Sequence, residues 1–279
     1  VAGGKWKVFF HLPLALPATF DFGLMNPYSL LARYYDLENA GFTEDLPFWL
    51  ELAEEFGDPI LELGCGTGRV LLNLARRGHA VTGIDNSPEM LDRLEAKLKQ
   101  ASAGHLATPP IILRAAMNDF DVTGASPFSL ALIPFNTFMH LLTSAEQIAA
   151  LGCVRRHLKI GGVLALDLPN PGEAYAAQEQ GLMLERSFAD GNCMVQQFSS
   201  VALDRAAQLA RITWVYDTVA PEGLVKRTII PLTLRYTFPA EMSLLLEKCG
   251  FNLLHLYGDY DRSLFADGSP RMLVVAKAV

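Results

Sequence analysis

Through the first half of the chain, short apolar runs alternate with stretches of helical periodicity. Five runs, at 59–64, 80–85, 111–116, 129–135 and 162–168, have the length and β-branched character of buried strands. Between them the pattern predicts a helix from Thr67 to Arg77 closed by Gly78. A second opens at Ser87-Pro88, with Leu91, Leu94 and Leu98 on one face. Ser144 and Gln147 are spaced as a capping box for a third, whose Ile148, Leu151, Val154 and Leu158 share a stripe. The "KIGG" at 159–162 then turns into the fifth strand. Strands separated by helices predict a parallel sheet with crossover connections.

From about 182 to 236 the period changes to two. Ile212, Trp214 and Tyr216 alternate with Arg211 and Thr213, and Leu232, Leu234 and Tyr236 alternate with Thr233 and Arg235. Turn residues at Asp190-Gly191 and Pro221-Glu222-Gly223 separate the runs, which predicts an antiparallel sheet. A helix over about 239–249, stopped by Gly250, and strands at 251–257 and 271–278 follow. The expected organisation is an α/β core with an N-terminal cap over 1–171, an inserted antiparallel β lid over 172–236, and completion of the core over 237–279. Ligands of open α/β sheets bind beyond the carboxyl ends of the strands. The insertion and the loop 258–270 both leave from that edge, so both are expected to cover a ligand.

The chain has 279 residues, 51% of them hydrophobic, enough to bury a large core. A formal charge of -7 argues against a protein held to nucleic acid or anionic membrane by its overall field. Four scattered cysteines show neither CxxC pairing nor metal-like spacing with histidine, which suits reduced thiols in the cytoplasm. Lys5 and Lys7 before "VFFHLPLAL" have the order of a secretory signal, but His11, Pro13 and Pro17 interrupt the apolar run.

Residues 60–68 read "ILELGCGTG", an apolar run ending in three alternating glycines around Cys65 and Thr67. A strand that ends in such a loop and opens a helix brings backbone N–H groups toward an anionic ligand. The dinucleotide fingerprint G-x-G-x-x-G would need glycine where Arg69 stands. An acidic residue ending the next strand, Asp85 in "AVTGID", suits the ribose hydroxyls of a nucleoside cofactor of either kind.

"LELGCGTGRV", "VTGIDNSPEML" and "LKIGGVLALDL", in that order, resemble the class I S-adenosylmethionine-dependent methyltransferases over roughly residues 28–170 and the final helix and strands. The resemblance implies a Rossmann-like, doubly wound seven-stranded sheet with an antiparallel last strand, plus the inserted sheet. It implies S-adenosylmethionine as cofactor and S-adenosylhomocysteine as product. Gly64, Gly66 and Gly68, with Cys65 and Thr67 between them, would lie against the methionine portion, and Glu62 would orient its ammonium. Asp85 would hold the ribose, and Asn86, Met90, Met117 and Asn118 would border the adenine. Pro134 and Tyr35 would complete the cofactor site. Ala116 and Ser129 depart from acidic residues common in the family.

Methyl transfer from a sulfonium mainly needs alignment, with a base only where the nucleophile must lose a proton. His140 in "IPFNTFMHLL" lies just beyond the fourth strand, as in similar aminosugar N-methyltransferases, and is the candidate base. The "YYD" of Tyr34, Tyr35 and Asp36 stands where relatives close over the cofactor. Asp259, Tyr260 and Asp261 are candidates to meet a cationic substrate, against the plainer reading of a solvated loop, and Trp214 and Tyr216 to line an apolar pocket. No Asn/Asp-Pro-Pro-aromatic signature follows the fourth strand and no basic appendage is present, so a small-molecule acceptor is expected rather than nucleic acid or membrane. The apolar content and inserted sheet permit a homodimer without requiring one. Two other readings stay open: a nicotinamide-dependent oxidoreductase, and a sensor that binds S-adenosylmethionine without consuming it.

Overall fold

The computed structural model describes residues 26–101, 108–122, 124, 127–176 and 180–279. The charged-then-apolar segment around Lys5 and Lys7 lies outside the described residues. Two sheets organise the chain. The larger contains β1 (Ile60–Leu63), β2 (Val81–Asp85), β3 (Ile111–Arg114), β4 (Phe128–Ile133), β5 (Leu158–Pro169), β10 (Phe251–Tyr257) and β11 (Arg271–Ala278), in the order β10-β11-β5-β4-β1-β2-β3. Strands β1 to β5 pair in parallel, while β11 is antiparallel to both β5 and β10. This is the doubly wound sheet with an antiparallel last strand.

The central strands β1 and β4 are buried at every position, as expected for a parallel sheet covered on both faces. One face packs against α5 (Ser144–His157) and α7 (Pro239–Lys248) through Leu151, Val154, Leu245 and Leu246. The other packs against α2 (Leu46–Phe56), α3 (Leu71–Arg76) and α4 (Pro88–Ala101) through Trp49, Leu52, Leu74 and Leu94. Because β1 lies between β2 and β4, the strand order reverses direction there. The loops leaving β1 and β4 therefore flank one crevice at the carboxyl edge.

Three local expectations shift. The helix expected from Thr67 begins only at Leu71, because residues 64–70 form a turn around three left-handed glycines. The capping box lies one residue earlier than Ser144/Gln147. Thr143 accepts the Glu146 N–H at 3.2 Å, and Glu146 accepts the Thr143 N–H at 2.9 Å. Thr143 has the extended backbone an N-cap requires, and Gln147 is instead buried, donating to Thr237 at 3.0 Å. The fifth strand starts at Leu158, with the "KIGG" bulged out of the β4 register between Leu158 and Val163.

The smaller sheet is an antiparallel meander of β6 (Gln180–Asp190), β7 (Cys193–Asp204), β8 (Leu209–Val219) and β9 (Val225–Arg235). It is inserted between a short helix α6 (Pro171–Ala176) and α7. The first helix, α1 (Pro27–Asn39), joins the sheets. Its Leu31 and Tyr34 form a third core with Val195, Tyr216 and Ile230, and the Tyr34 and Tyr216 rings stack 4.5 Å apart. On its opposite side, Asp36 accepts from Thr67 Oγ1 at 2.6 Å and from Lys97 Nζ at 2.7 Å. No helix among the described residues is long and apolar enough to cross a membrane.

Candidate active site

The three glycines of "GCGTG" are required for three different reasons. Gly64 has φ +67, and a Cβ there would fall 2.2 Å from Cγ2 of Thr137, so the β1 and β4 loops touch at this point. Gly66, at φ +52, has nothing nearer than 4.0 Å to its absent Cβ, and its N–H donates to Asp85 Oδ2 at 2.8 Å. Gly68 has φ +85 and admits Cδ1 of Leu94 to 2.4 Å from where a Cβ would be, which docks α4. Arg69 follows, forking onto the fully buried Asp45 at 2.5 and 2.6 Å, with Phe42 and Phe135 against its guanidinium.

A cavity of about 550 Å³ opens beside this loop. Of the expected cofactor residues, Tyr35, Gly64, Gly66, Asp85, Asn86, Met90 and Met117 line it, and so does His140. Glu62, Cys65, Thr67, Gly68, Asn118 and Pro134 do not. Cys65 is buried behind the loop against Gly83, and burial pushes its thiol pKa up. Thr67 is held by Asp36, and the Asn118 carbonyl faces Cys153. The Pro134 carbonyl accepts the Thr137 N–H at 3.2 Å, which starts the following turn. Glu62 is buried under the loop, and its Oε2 has no hydrogen-bond partner among the described residues. Burial pushes the Glu62 pKa up to about 8. Asp85 accepts the Ser87 N–H on Oδ1 at 2.8 Å as well as Gly66 on Oδ2; burial still raises its pKa against those donors.

His140 ends a 3₁₀ turn, Thr137–His140, entered through Phe135 and Asn136 at φ 51 and 64. Non-glycine residues adopt that conformation only where the surroundings compel it. Here Asp167, fully buried at the end of β5, accepts the Phe135 N–H at 3.2 Å through Oδ2 and the Asn136 N–H at 3.0 Å through its carbonyl. Tyr260 donates to Asp167 at 2.9 Å, and Arg271 bridges Asp167 and Asn136. The loop 258–270 thus supports the turn from behind and contributes nothing to the cavity wall, contrary to its expected covering role. Asp259 and Asp261 cap their own loop, accepting from Tyr260 N and Ser263 N.

The partner of His140 was not visible from sequence. Tyr28, in the first turn of α1 beyond its Asn26 cap, places its hydroxyl 2.7 Å from Nε2 of His140. Burial lowers the His140 pKa to about 4 and raises that of Tyr28 further above its ordinary value. Both are neutral at physiological pH. The inserted sheet supplies the far wall: Ile212, Trp214, Leu232 and Leu234 line the cavity as their alternation predicts, whereas Tyr216 is buried against Tyr34.

Residues 60–162 match the family described as a methyltransferase domain. The Cypemycin N-terminal methyltransferase of a Streptomyces species is 29% identical over 220 residues, covering 78% of this chain and 82% of that protein. The CcbJ methyltransferase of Streptomyces caelestis superposes with TM-score 0.72 at 26% identity, covering 86% of this chain and 98% of its own. CalS10 of Micromonospora echinaspora, an amino pentose methyltransferase solved with S-adenosylmethionine bound, gives TM-score 0.68 at 18% identity, over 88% and 96% of the two chains. The strand order, the glycine loop and these relatives together support a class I S-adenosylmethionine-dependent methyltransferase.

Proposed function

We propose that the chain methylates a nitrogen or oxygen of a small-molecule acceptor, in the cavity between the glycine loop, α1 and the inserted sheet. The observation that carries this reading is the Tyr28–His140 pair, which lines the same cavity as the glycine loop and Asp85. Bound S-adenosylmethionine supplies a methyl group activated on a sulfonium. The chain's residues suit it. The unpartnered Oε2 of Glu62 requires a donor, which the methionine ammonium offers through water. Each Asp85 oxygen retains a lone pair for a ribose hydroxyl, and Asn86, Met90 and Met117 would border the adenine. Gly66, with nothing nearer than 4.0 Å to its absent Cβ, leaves room for the methionine portion, and Gly64 lines the same cavity.

At the other end, the neutral His140 is an acceptor through Nε2, and the Tyr28 hydroxyl donates to it. The oxygen of Tyr28 is then free to accept the proton that an amine or hydroxyl releases. As that proton arrives, the Tyr28 proton passes to His140 Nε2, so no phenolate accumulates. An imidazole with a pKa near 4 returns the proton readily to water. The Cypemycin relative, named for an N-terminal substrate, supports testing amines first. The four cysteines, all free, support a cytoplasmic setting. A radiolabelled-methyl transfer screen tests the proposal. Methyl incorporation into an amine or alcohol, lost in Tyr28→Phe/His140→Ala with S-adenosylhomocysteine binding intact, supports it. S-adenosylmethionine binding without transfer to any acceptor favours the sensor.

A further inference from the structure

The cavity continues past the Tyr28–His140 pair along α1. Tyr28, Tyr35 and Asn39 form one stripe of that helix and all line the cavity, which therefore runs about 15 Å along the helix axis. Leu31, Tyr34 and Glu38 form the neighbouring stripe, facing the inserted sheet. Glu38 closes the far end.

There Glu38 meets a chain of polar groups. The Gln197 Nε2 donates to the Tyr216 hydroxyl at 3.0 Å, and that hydroxyl interacts electrostatically with the Glu38 side chain. The hydroxyl of Tyr216 accepts from Gln197, which leaves its own proton to turn toward Glu38. This order fixes the Gln197 amide with its nitrogen on Tyr216 and its oxygen turned away. Gln197 is 4% exposed, lines the cavity, and its Oε1 has no partner among the described residues. The Oε1 of Glu38 is likewise buried without a partner. Leaving two buried acceptors unsatisfied costs stability, which a donor group arriving with a ligand recovers.

The wall between the two ends is graded. Along the cavity face of the sheet, Arg186 and Gln197 are opposite each other, then Ser199 faces Trp214, then Val201 faces Ile212, which faces Leu232. Arg186 is engaged with the Glu38 carbonyl at 3.1 Å, and Ser199 donates to Glu185. The strand carrying Leu232 and Leu234 packs toward the His140 turn.

We propose that Glu38 and Gln197 anchor a hydrogen-bond-donating group of the acceptor, an ammonium or a hydroxyl, remote from the atom that is methylated, with an apolar body spanning Val201, Ile212, Trp214 and Leu232. The acceptor is therefore amphipathic and bifunctional: one nitrogen or oxygen at Tyr28–His140, and a second donor at the far end of α1. This specificity site rests on the cofactor and acceptor assignment above.

Calorimetric titration of the protein saturated with S-adenosylhomocysteine tests it, comparing n-octylamine, 8-amino-1-octanol and 1,8-diaminooctane. At least one bifunctional probe is expected to bind tenfold or more tightly than n-octylamine, and which one does so identifies hydroxyl or ammonium. In Glu38→Gln and in Gln197→Leu the advantage is expected to fall below threefold while affinity for S-adenosylhomocysteine is kept. Equal affinities for the three probes, binding of none of them, or an advantage that survives both substitutions overturns the anchor. Failure to bind S-adenosylhomocysteine at all overturns the cofactor assignment instead.

Discussion

The hydroxyl of Tyr28 lies 2.7 Å from Nε2 of His140, across 112 positions of sequence, with the two rings edge to face. This one contact places a helix that precedes the core sheet over a turn that follows its fourth strand. It closes one end of the cavity, where the proposed proton transfer takes place.

Because burial holds His140 near pKa 4, its titration is displaced downward from the ordinary imidazole value of about 6.5. In the folded protein it stays neutral where the unfolded chain is already protonated. Between those two pH values the unfolded state binds the extra proton, so His140 lowers stability as pH falls through that window. Wild type is expected to lose more stability than His140→Gln between pH 6.5 and 4. Denaturation midpoints at several pH values check this, and equal losses in both proteins would remove the displaced titration.

Glu62 behaves with the opposite sign. Its folded pKa of about 8 exceeds that of an exposed glutamate, so stability without ligand falls as pH rises from about 4.5 toward 8. Glu62→Gln is expected to flatten that slope and to weaken S-adenosylhomocysteine binding by about tenfold, since the bound ammonium draws Glu62 into a charged form that glutamine cannot adopt. Thermal scans and titration calorimetry read the two effects separately.

At Gly64 a methyl group has nowhere to go. Gly64→Ala meets Thr137 and forces alanine into a left-handed backbone, a cost of about 2–4 kcal/mol. Combining it with Thr137→Ala is expected to return part of the loss by removing the steric component alone. Urea denaturation of the single and double variants measures both contributions, and no recovery in the pair would mean that the backbone conformation carries the whole cost.

Arg69 and Asp45 form a buried ion pair that fixes the start of α2 to the glycine loop. Asp45→Ala strands the guanidinium, with an expected destabilisation of about 3–5 kcal/mol. Arg69→Met/Asp45→Leu, which removes both charges, is expected to be milder. Comparison of their unfolding midpoints decides.

Much of this architecture is legible in the sequence because its signals are local. The strands at 251–257 and 271–278, the Ser87-Pro88 helix start and the two-residue period of the inserted sheet follow from patterning alone. The helices before β1 did not declare themselves in the same way. In α1, Tyr28 answers to His140, Tyr34 and Glu38 to Tyr216, and Asp36 to Thr67, so no single apolar stripe marks the helix. The glycine loop was readable as a ligand loop, yet Gly68 serves helix packing and Thr67 serves Asp36, because three-dimensional neighbours rather than spacing assign those roles. The loop 258–270 likewise turned out to brace Asp167, a role that depends on where β11 inserts between β5 and β10. The Tyr28–His140 pair and the Glu38–Tyr216–Gln197 chain join residues far apart in sequence, which no motif encodes.

The most direct measurement is titration calorimetry of S-adenosylhomocysteine and NADH into wild type and Asp85→Ala. One S-adenosylhomocysteine site per chain is expected in wild type, with at least 30-fold weaker binding in Asp85→Ala and no heat from NADH. NADH binding, or S-adenosylhomocysteine affinity indifferent to Asp85, would contradict the cofactor assignment.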